Sequence, residues 1–205
     1  MIQNIFNFSM NKVYYINIDE SEELGMFSVS LVDYPAVETS FLCFNEEKPK
    51  QLFFAKPEEH IITGVALRAD LPIYRVNQKT GEEYYVIFNK ETIKKMIARY
   101  SKQGMMNNVD LQHSGELVSG VYMVESFIIN DERGIRPKEF SDIEDGSWIV
   151  SYYVEDETLW NKIKNGNDLN GFSISCMANL VEKFEKQEPD TPEDEINKLI
   201  DELLN

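Results

Sequence analysis

The chain has 205 residues and a formal net charge of −16 at pH 7, from 36 acidic and 20 basic side chains. This length suits one domain, or one domain with a tail, and it is long enough to bury a sizeable core. The charge argues against nucleic acid and against an anionic membrane surface as partners, because both require clustered lysine and arginine.

The first half of the chain has the pattern of strands joined by turns. Apolar and polar residues alternate weakly in 13–18 and clearly in 27–32, where Phe27, Val29 and Leu31 are predicted to share one face. Further strands are predicted at 40–44 and 60–67, and a hairpin at 72–76 and 84–88 with its turn at Thr80-Gly81. Turns of this kind favour antiparallel pairing.

The strongest helix pattern lies between Asn89 and Gly104. Asn89 is a suitable N-cap, and Gly104 is suited to follow the last turn. The apolar face of this helix is predicted to consist of Ile93, Met96, Ile97 and Tyr100.

The second half continues with strands and ends in an acidic tail. Strands are predicted at 109–113, 121–129 and 148–154, followed by a short helix from Asp156 to near Gly166. A last strand contains Ser173 and runs to about Val181. The segment 183–205 is acidic, and Thr191-Pro192-Glu193-Asp194 is a typical helix start. This tail either docks on the domain at 1–182 or binds a partner, and the sequence leaves both alternatives open.

Together these elements predict an α+β fold. We expect a mainly antiparallel β-barrel or strongly curled sheet, flanked by two or three helices. The two cysteines, Cys43 and Cys176, are too few for a disulfide framework and form no metal-ligand pair. Reduced thiols indicate a cytosolic protein, and no apolar run is long enough to span a membrane.

The segment Gly171-Phe172-Ser173-Ile174-Ser175 is the first candidate for chemistry. Glycine permits a sharp bend, so the Ser173 hydroxyl can act as a nucleophile if a base reaches it. The alternative is an ordinary half-buried strand whose hydroxyls face water. The segment is not a lipase-type elbow, because Ser175 stands where the second glycine would be. Cys176 is predicted to face away from Ser173, which disfavours a cysteine nucleophile.

Imidazole is the usual base for a serine nucleophile, and the chain has two histidines, His60 and His113. His113 is predicted at a strand end beside the turn at Ser114-Gly115, from where its ring can reach substrate. His60 follows the charged segment 56–59 and is predicted to be a surface residue. The alternative for His113 is a partly exposed strand-end histidine without a catalytic role.

Several further segments occur in a fixed order along the chain. They are Ser30–Ala36, Gly64–Leu67, Asp110–His113, Val124–Ile128, Gly146–Trp148, Trp160 with the glycine-containing turn after it, and Gly171–Ile174. This ordered set, from residue 27 to about 180, resembles the phage prohead serine proteases of the XkdF-like type.

The resemblance implies a protease that matures a viral procapsid. Its fold would be similar to that of the herpesvirus assemblins, a β-barrel ringed by helices. Such an enzyme cuts scaffold and major capsid protein, and often itself, inside the assembling procapsid in the host cytoplasm. Ser173 would be the nucleophile and His113 the general base. No cofactor or metal is implied, and a homodimer is left open.

The third member of the catalytic group is predicted to be Glu125, which lies in a matching segment. On a hairpin centred near residue 117, Glu125 would lie roughly 13 Å along the strand from the position facing His113, so that contact requires a bulge or another register. The alternative is a structural carboxylate. Asp110 is predicted on the opposite face of its strand from His113. Ser175 is predicted on the same face as Ser173, either as a hydroxyl that helps to bind substrate or as an ordinary strand residue.

Two other classes of function fit the sequence. A capsid-assembly or scaffold-binding protein with the same fold would cleave nothing and would use the acidic tail as its interaction element. A ligand-binding β-barrel is supported only by the aromatic content of 12%.

Overall fold

The computed structural model describes residues 12–18, 25–33, 59–77, 79–164, 169–177 and 179–182. The strand predicted at 40–44, the acidic tail at 183–205 and Cys43 lie outside these residues. No helix within the described ranges has the length and apolar character needed to cross a membrane.

The described residues contain ten strands and two α-helices. The strands are β1 (Lys12–Asn17), β2 (Gly25–Val32), β3 (Ile61–Leu67), β4 (Ile73–Val76), β5 (Glu83–Ile87), β6 (Val109–Leu111), β7 (Val121–Ile128), β8 (Trp148–Val154), β9 (Gly171–Met177) and β10 (Asn179–Glu182). The helices are α1 (Lys90–Lys102) and α2 (Glu157–Lys164), and a short 3₁₀ helix covers Lys138–Phe140.

The strands form three small sheets, with the orders β10-β1-β5-β4, β6-β2-β9 and β3-β8-β7. The predicted barrel or strongly curled sheet is therefore wrong, since the described strands close no barrel. Among the described strands, only the predicted hairpin β4–β5 and the pair β7–β8 join strands that are consecutive in the chain. β1 and β2 instead pair with distant strands, and each has one parallel neighbour. Within the described ranges each sheet thus ends in edge strands, whereas a barrel requires a continuous ring of pairing.

Strand β2 is buried on both faces. Val29 and Leu31 are fully buried in the core, as predicted, and the serines beside them lie on the other face. Phe27, predicted to join Val29 and Leu31, is 40% exposed. The pairing register with β9 shifts between Met26 and Ser28, and such a bulge changes the facing of the residue within it.

Helix α1 confirms the local prediction. The side chain of Asn89 caps it by accepting a hydrogen bond from the backbone N–H of Thr92 at 2.8 Å. Its apolar face packs in the core, where Tyr100 is fully buried. The Tyr100 hydroxyl donates to the carbonyl oxygen of Asn108 at 3.1 Å and so holds the turn that leads into β6.

Substitution of Asn89 by alanine is expected to lower the free energy of unfolding by about 1 kcal/mol, because it removes the partner of an otherwise unpaired helix N–H. Urea denaturation measures this loss. Lys95→Ala, on the exposed side of the same helix, is the control and should have little effect. Equal stability of the Asn89→Ala variant and the wild type would contradict the capping role.

Candidate active site

Strands β2 and β9 bring four serines onto one face of their sheet. Ser30 is paired with Ser173, and Ser28 is paired with Ser175. Directly paired residues on antiparallel strands lie on the same side, as do residues two apart on one strand. Four hydroxyl groups therefore share this face.

Strand β6 adds a carboxylate beside these serines. It runs parallel to β2, and Asp110 is paired with Ser30. The hydroxyl of Ser28 donates to Oδ2 of Asp110 at 3.0 Å, while Oδ1 is buried and has no hydrogen-bond partner among the described residues. Asp110 is only 1% exposed.

His113 reaches the same face because the chain leaves strand geometry after β6. Gln112 and His113 both have left-handed backbone angles, with φ of 54° and 56°. The N–H of Ser114 donates to the carbonyl of Leu111 at 3.0 Å and closes the turn. The side chain of His113, itself exposed, thereby comes to lie against the serines.

The imidazole contacts two hydroxyl groups at once. Nδ1 of His113 lies 3.0 Å from Oγ of Ser30 and 3.0 Å from Oγ of Ser175. The two serine oxygens are 3.5 Å apart. We call Ser28, Ser30, Asp110, His113, Ser173 and Ser175 the serine–histidine cluster.

The structure corrects two expectations about this region. Asp110 was expected on the face opposite His113, but the left-handed turn breaks strand alternation and brings both side chains to the serine face. The expected hairpin between 109–113 and 121–129 is reduced to one bridge between Asp110 and Leu117, because β6 pairs with β2 and β7 pairs with β8.

The two β9 serines differ in their surroundings. Ser175 is half-buried and in contact with His113. Ser173 is 5% exposed, lies across from Ser30, and its side chain makes no hydrogen bond within the described residues. Ser173 lies two residues, about 6.6 Å, along β9 from Ser175. The structure thus brings His113 into direct contact with Ser175 and places Ser173 beside that contact.

Glu125 lies in another sheet, on β7. Its carboxylate accepts a hydrogen bond from the hydroxyl of Ser151 at 2.5 Å, and Ser151 also contacts Thr63 at 2.9 Å. Glu125, together with Thr63, Phe127 and other residues, lines a cavity of about 500 Å³. The hydrogen bonds of His113 go to the cluster serines rather than to Glu125. A catalytic role for Glu125 stays a prediction.

His60 is packed rather than lying on the surface. Its ring stacks on Trp160 with centroids 4.8 Å apart and an angle of 15° between the ring planes. Its Nδ1–H donates to the carbonyl oxygen of Val154 at 3.0 Å. These contacts give His60 a structural role between β3 and α2.

Cysteine chemistry is disfavoured at this site. Burial raises the pKa of the Cys176 thiol to about 11, so the thiol is protonated at neutral pH. The described residues also include no group of three or more histidine, cysteine or acidic side chains arranged to hold a metal ion. The chemistry supported here is that of a hydroxyl and an imidazole.

Comparison with known proteins agrees with this chemistry. A family model described as "Putative phage serine protease XkdF" matches residues 52–182, well over half of the chain. The chain belongs to this family. No curated protein and no solved structure matches the chain. The resemblance to the XkdF-like proteases is thus confirmed, whereas the assemblin-like barrel implied with it is wrong for the described strands, and a relation to the herpesvirus assemblins is not shown.

The segment matched by the phage serine protease family contains His113 and both β9 serines, whereas β2 precedes it. Ser28 and Ser30 therefore contribute to the cluster from outside the matched segment. Neither residue was predicted from the sequence to have a functional role. Serines alternating with Val29 and Leu31 on a buried strand are the signal that could have identified them.

Proposed function

We propose that this protein is a serine endopeptidase that cleaves scaffold and capsid-protein segments, and its own chain, during maturation of a phage procapsid in the host cytoplasm. The family supports a phage serine protease. The observation that carries the proposal is the 3.0 Å contact between Nδ1 of His113 and a hydroxyl group of β9. A base within hydrogen-bond reach of a serine is the arrangement that acyl transfer requires.

In the proposed reaction, Nδ1 of neutral His113 accepts the hydroxyl proton of a β9 serine, and Oγ of that serine attacks the carbonyl carbon of the substrate. The imidazolium then gives this proton to the leaving amine as the C–N bond breaks. Water hydrolyses the resulting ester with His113 again acting as the base. The exposure of His113 and the partial exposure of Ser175 are compatible with access of a peptide to this face.

Two serines are candidates for the nucleophile. The resemblance implies Ser173, whereas the contact with His113 favours Ser175. Attack by Ser173 requires the imidazole to move by about 6.6 Å, the length of two residues along β9. Attack by Ser175 requires no such movement. Catalytic hydrogen bonds often tighten only when substrate binds, so both serines remain candidates for direct testing.

Co-expression with the scaffold and major capsid proteins encoded by the same phage tests the proposed function. We expect shortened products on a denaturing gel with the wild-type protein. The double variant Ser173→Ala/Ser175→Ala should give none, because it lacks both candidate nucleophiles. Uncleaved partners that co-purify with the wild-type protein would instead support a non-catalytic assembly role and would contradict the proposal.

A further inference from the structure

The buried oxygen of Asp110 without a partner calls for a physical explanation. Asp110 is 1% exposed, and only Oδ2 receives a hydrogen bond, from Ser28. Oδ1 has no donor within the described part of the chain. A buried acceptor without a donor is costly and uncommon in folded proteins.

Hydrogen-bond counting at His113 points to Ser30 as a donor for this oxygen, although the two make no hydrogen bond in the structure. Neutral Nδ1 has one lone pair, but the hydroxyls of Ser30 and Ser175 both lie 3.0 Å away. When Ser175 donates to Nδ1, the proton of Ser30 goes either to Oγ of Ser175, 3.5 Å away, or to an acceptor outside this pair. Asp110 is the direct pairing partner of Ser30 on the neighbouring strand, which lies about 4.8 Å away, and it carries the open acceptor.

We propose that Ser30 and Asp110 form a relay that positions His113, in which the Ser30 hydroxyl donates to Oδ1 of Asp110 whenever Nδ1 of His113 carries a proton. Nδ1–H then donates to Oγ of Ser30, so the imidazole is held in place and its positive charge is stabilised by the carboxylate. The proton moved from the nucleophile rests on Nδ1 until the leaving amine takes it, and Ser30 keeps its own proton. As a catalytic device the relay rests on the proposed function, whereas its effect on the protonation of His113 does not.

Few other charged groups are near His113 in the described residues. Asp110 is the acidic residue of β6, and β2 has no charged residue. Asp33 follows β2, where its backbone N–H contacts the side chain of Gln112 at 3.4 Å. On β9 the titratable residue is Cys176, which lies on the other face. Glu116 is exposed in the turn after His113, which makes it the matched control for loss of one negative charge.

Proton NMR titration of the untagged protein tests the relay, because the chain has only two histidines. His113→Gln assigns the two signals, and His60 serves as the internal reference. Asp110→Asn and Ser30→Ala should each move the titration midpoint of His113 to lower pH by about 0.5 units or more, since each removes stabilisation of the protonated ring. Glu116→Gln should move it by much less, and His60 should not change.

The double variant Ser30→Ala/Asp110→Asn tests the link itself. If Ser30 and Asp110 act as one relay, either single substitution already removes the stabilisation of the protonated His113 ring. The titration midpoint of His113 in the double variant should therefore shift by about as much as in the single variant with the larger shift. Fully additive shifts, or a His113 midpoint unchanged by Asp110→Asn in a folded protein, would overturn the relay. If Asp110→Asn does not fold, the ¹³C carboxyl signal of Asp110 in the wild-type protein decides. The chemical shift of this signal should change over the same pH range in which His113 titrates. A chemical shift that does not change over that range would overturn the relay.

Cleavage assays give a second readout. Asp110→Asn should lower kcat by about tenfold with KM nearly unchanged, and should move the acidic limb of the pH–rate profile to lower pH. A change confined to KM would contradict a positioning role. If the wild-type protein cleaves nothing, the proposed function fails, while the NMR titration still tests the relay.

Discussion

Replacement of His113 by glutamine is expected to slow cleavage by about 10²–10⁴-fold, the usual contribution of a general base. His113 is the histidine in contact with the cluster serines, and its side chain is exposed, so the substitution removes the base and little packing. Initial rates of scaffold cleavage or self-cleavage, measured at equal protein concentration, give the size of the effect.

His60→Gln is the matched control. His60 stacks on Trp160 and donates to the carbonyl oxygen of Val154 rather than to the cluster serines, so its loss should lower stability more than the rate of cleavage by folded protein. Circular dichroism must show that both variants are folded. Wild-type cleavage by folded His113→Gln would remove His113 from the mechanism.

Alanine substitution of the β9 serines should give the second large effect on the rate of cleavage, and the two variants should differ in its size. Alanine at the nucleophile is expected to lower cleavage by about 10⁴-fold or more, because no covalent intermediate can form. Alanine at the other serine should cost about tenfold or less, since it removes a neighbouring hydroxyl group only. Separate assays of Ser173→Ala and Ser175→Ala therefore identify the nucleophile.

Ser114→Ala is the control for this pair. Ser114 is exposed in the turn beside His113, and its hydroxyl accepts a hydrogen bond from the N–H of Glu116 at 3.2 Å, outside the cluster. Its rate of cleavage should stay near that of the wild type. Normal cleavage by both β9 variants would show that the nucleophile lies elsewhere in the chain.

The elements predicted correctly are those defined by local sequence signals. Asn89 and the spacing of Ile93, Met96 and Tyr100 define α1, and the turn at 80–81 defines the β4–β5 hairpin. The pairing of β2 with β6 and β9 was not predicted, because parallel and long-range pairs leave no turn signal in the sequence. The barrel was inferred from hairpins, of which the described residues have few.

Part of the candidate site was predicted from the sequence. His113, Ser173 and Ser175 were identified from residue type and resemblance, and the structure brings them to one face. Ser30 was missed because its strand was read only for its apolar face, and Asp110 was placed on the wrong face because a strand reading assumes strict alternation. The left-handed angles of Gln112 and His113 break that alternation, and non-glycine residues seldom adopt such angles.

Mass spectrometry after treatment with a fluorophosphonate tests the central claim most directly. His113 is expected to activate a serine of β9, so the adduct should lie on Ser173 or Ser175 and should be nearly absent in His113→Gln. An adduct on a serine outside β9, or equal labelling of the wild type and folded His113→Gln, would contradict this account of the site.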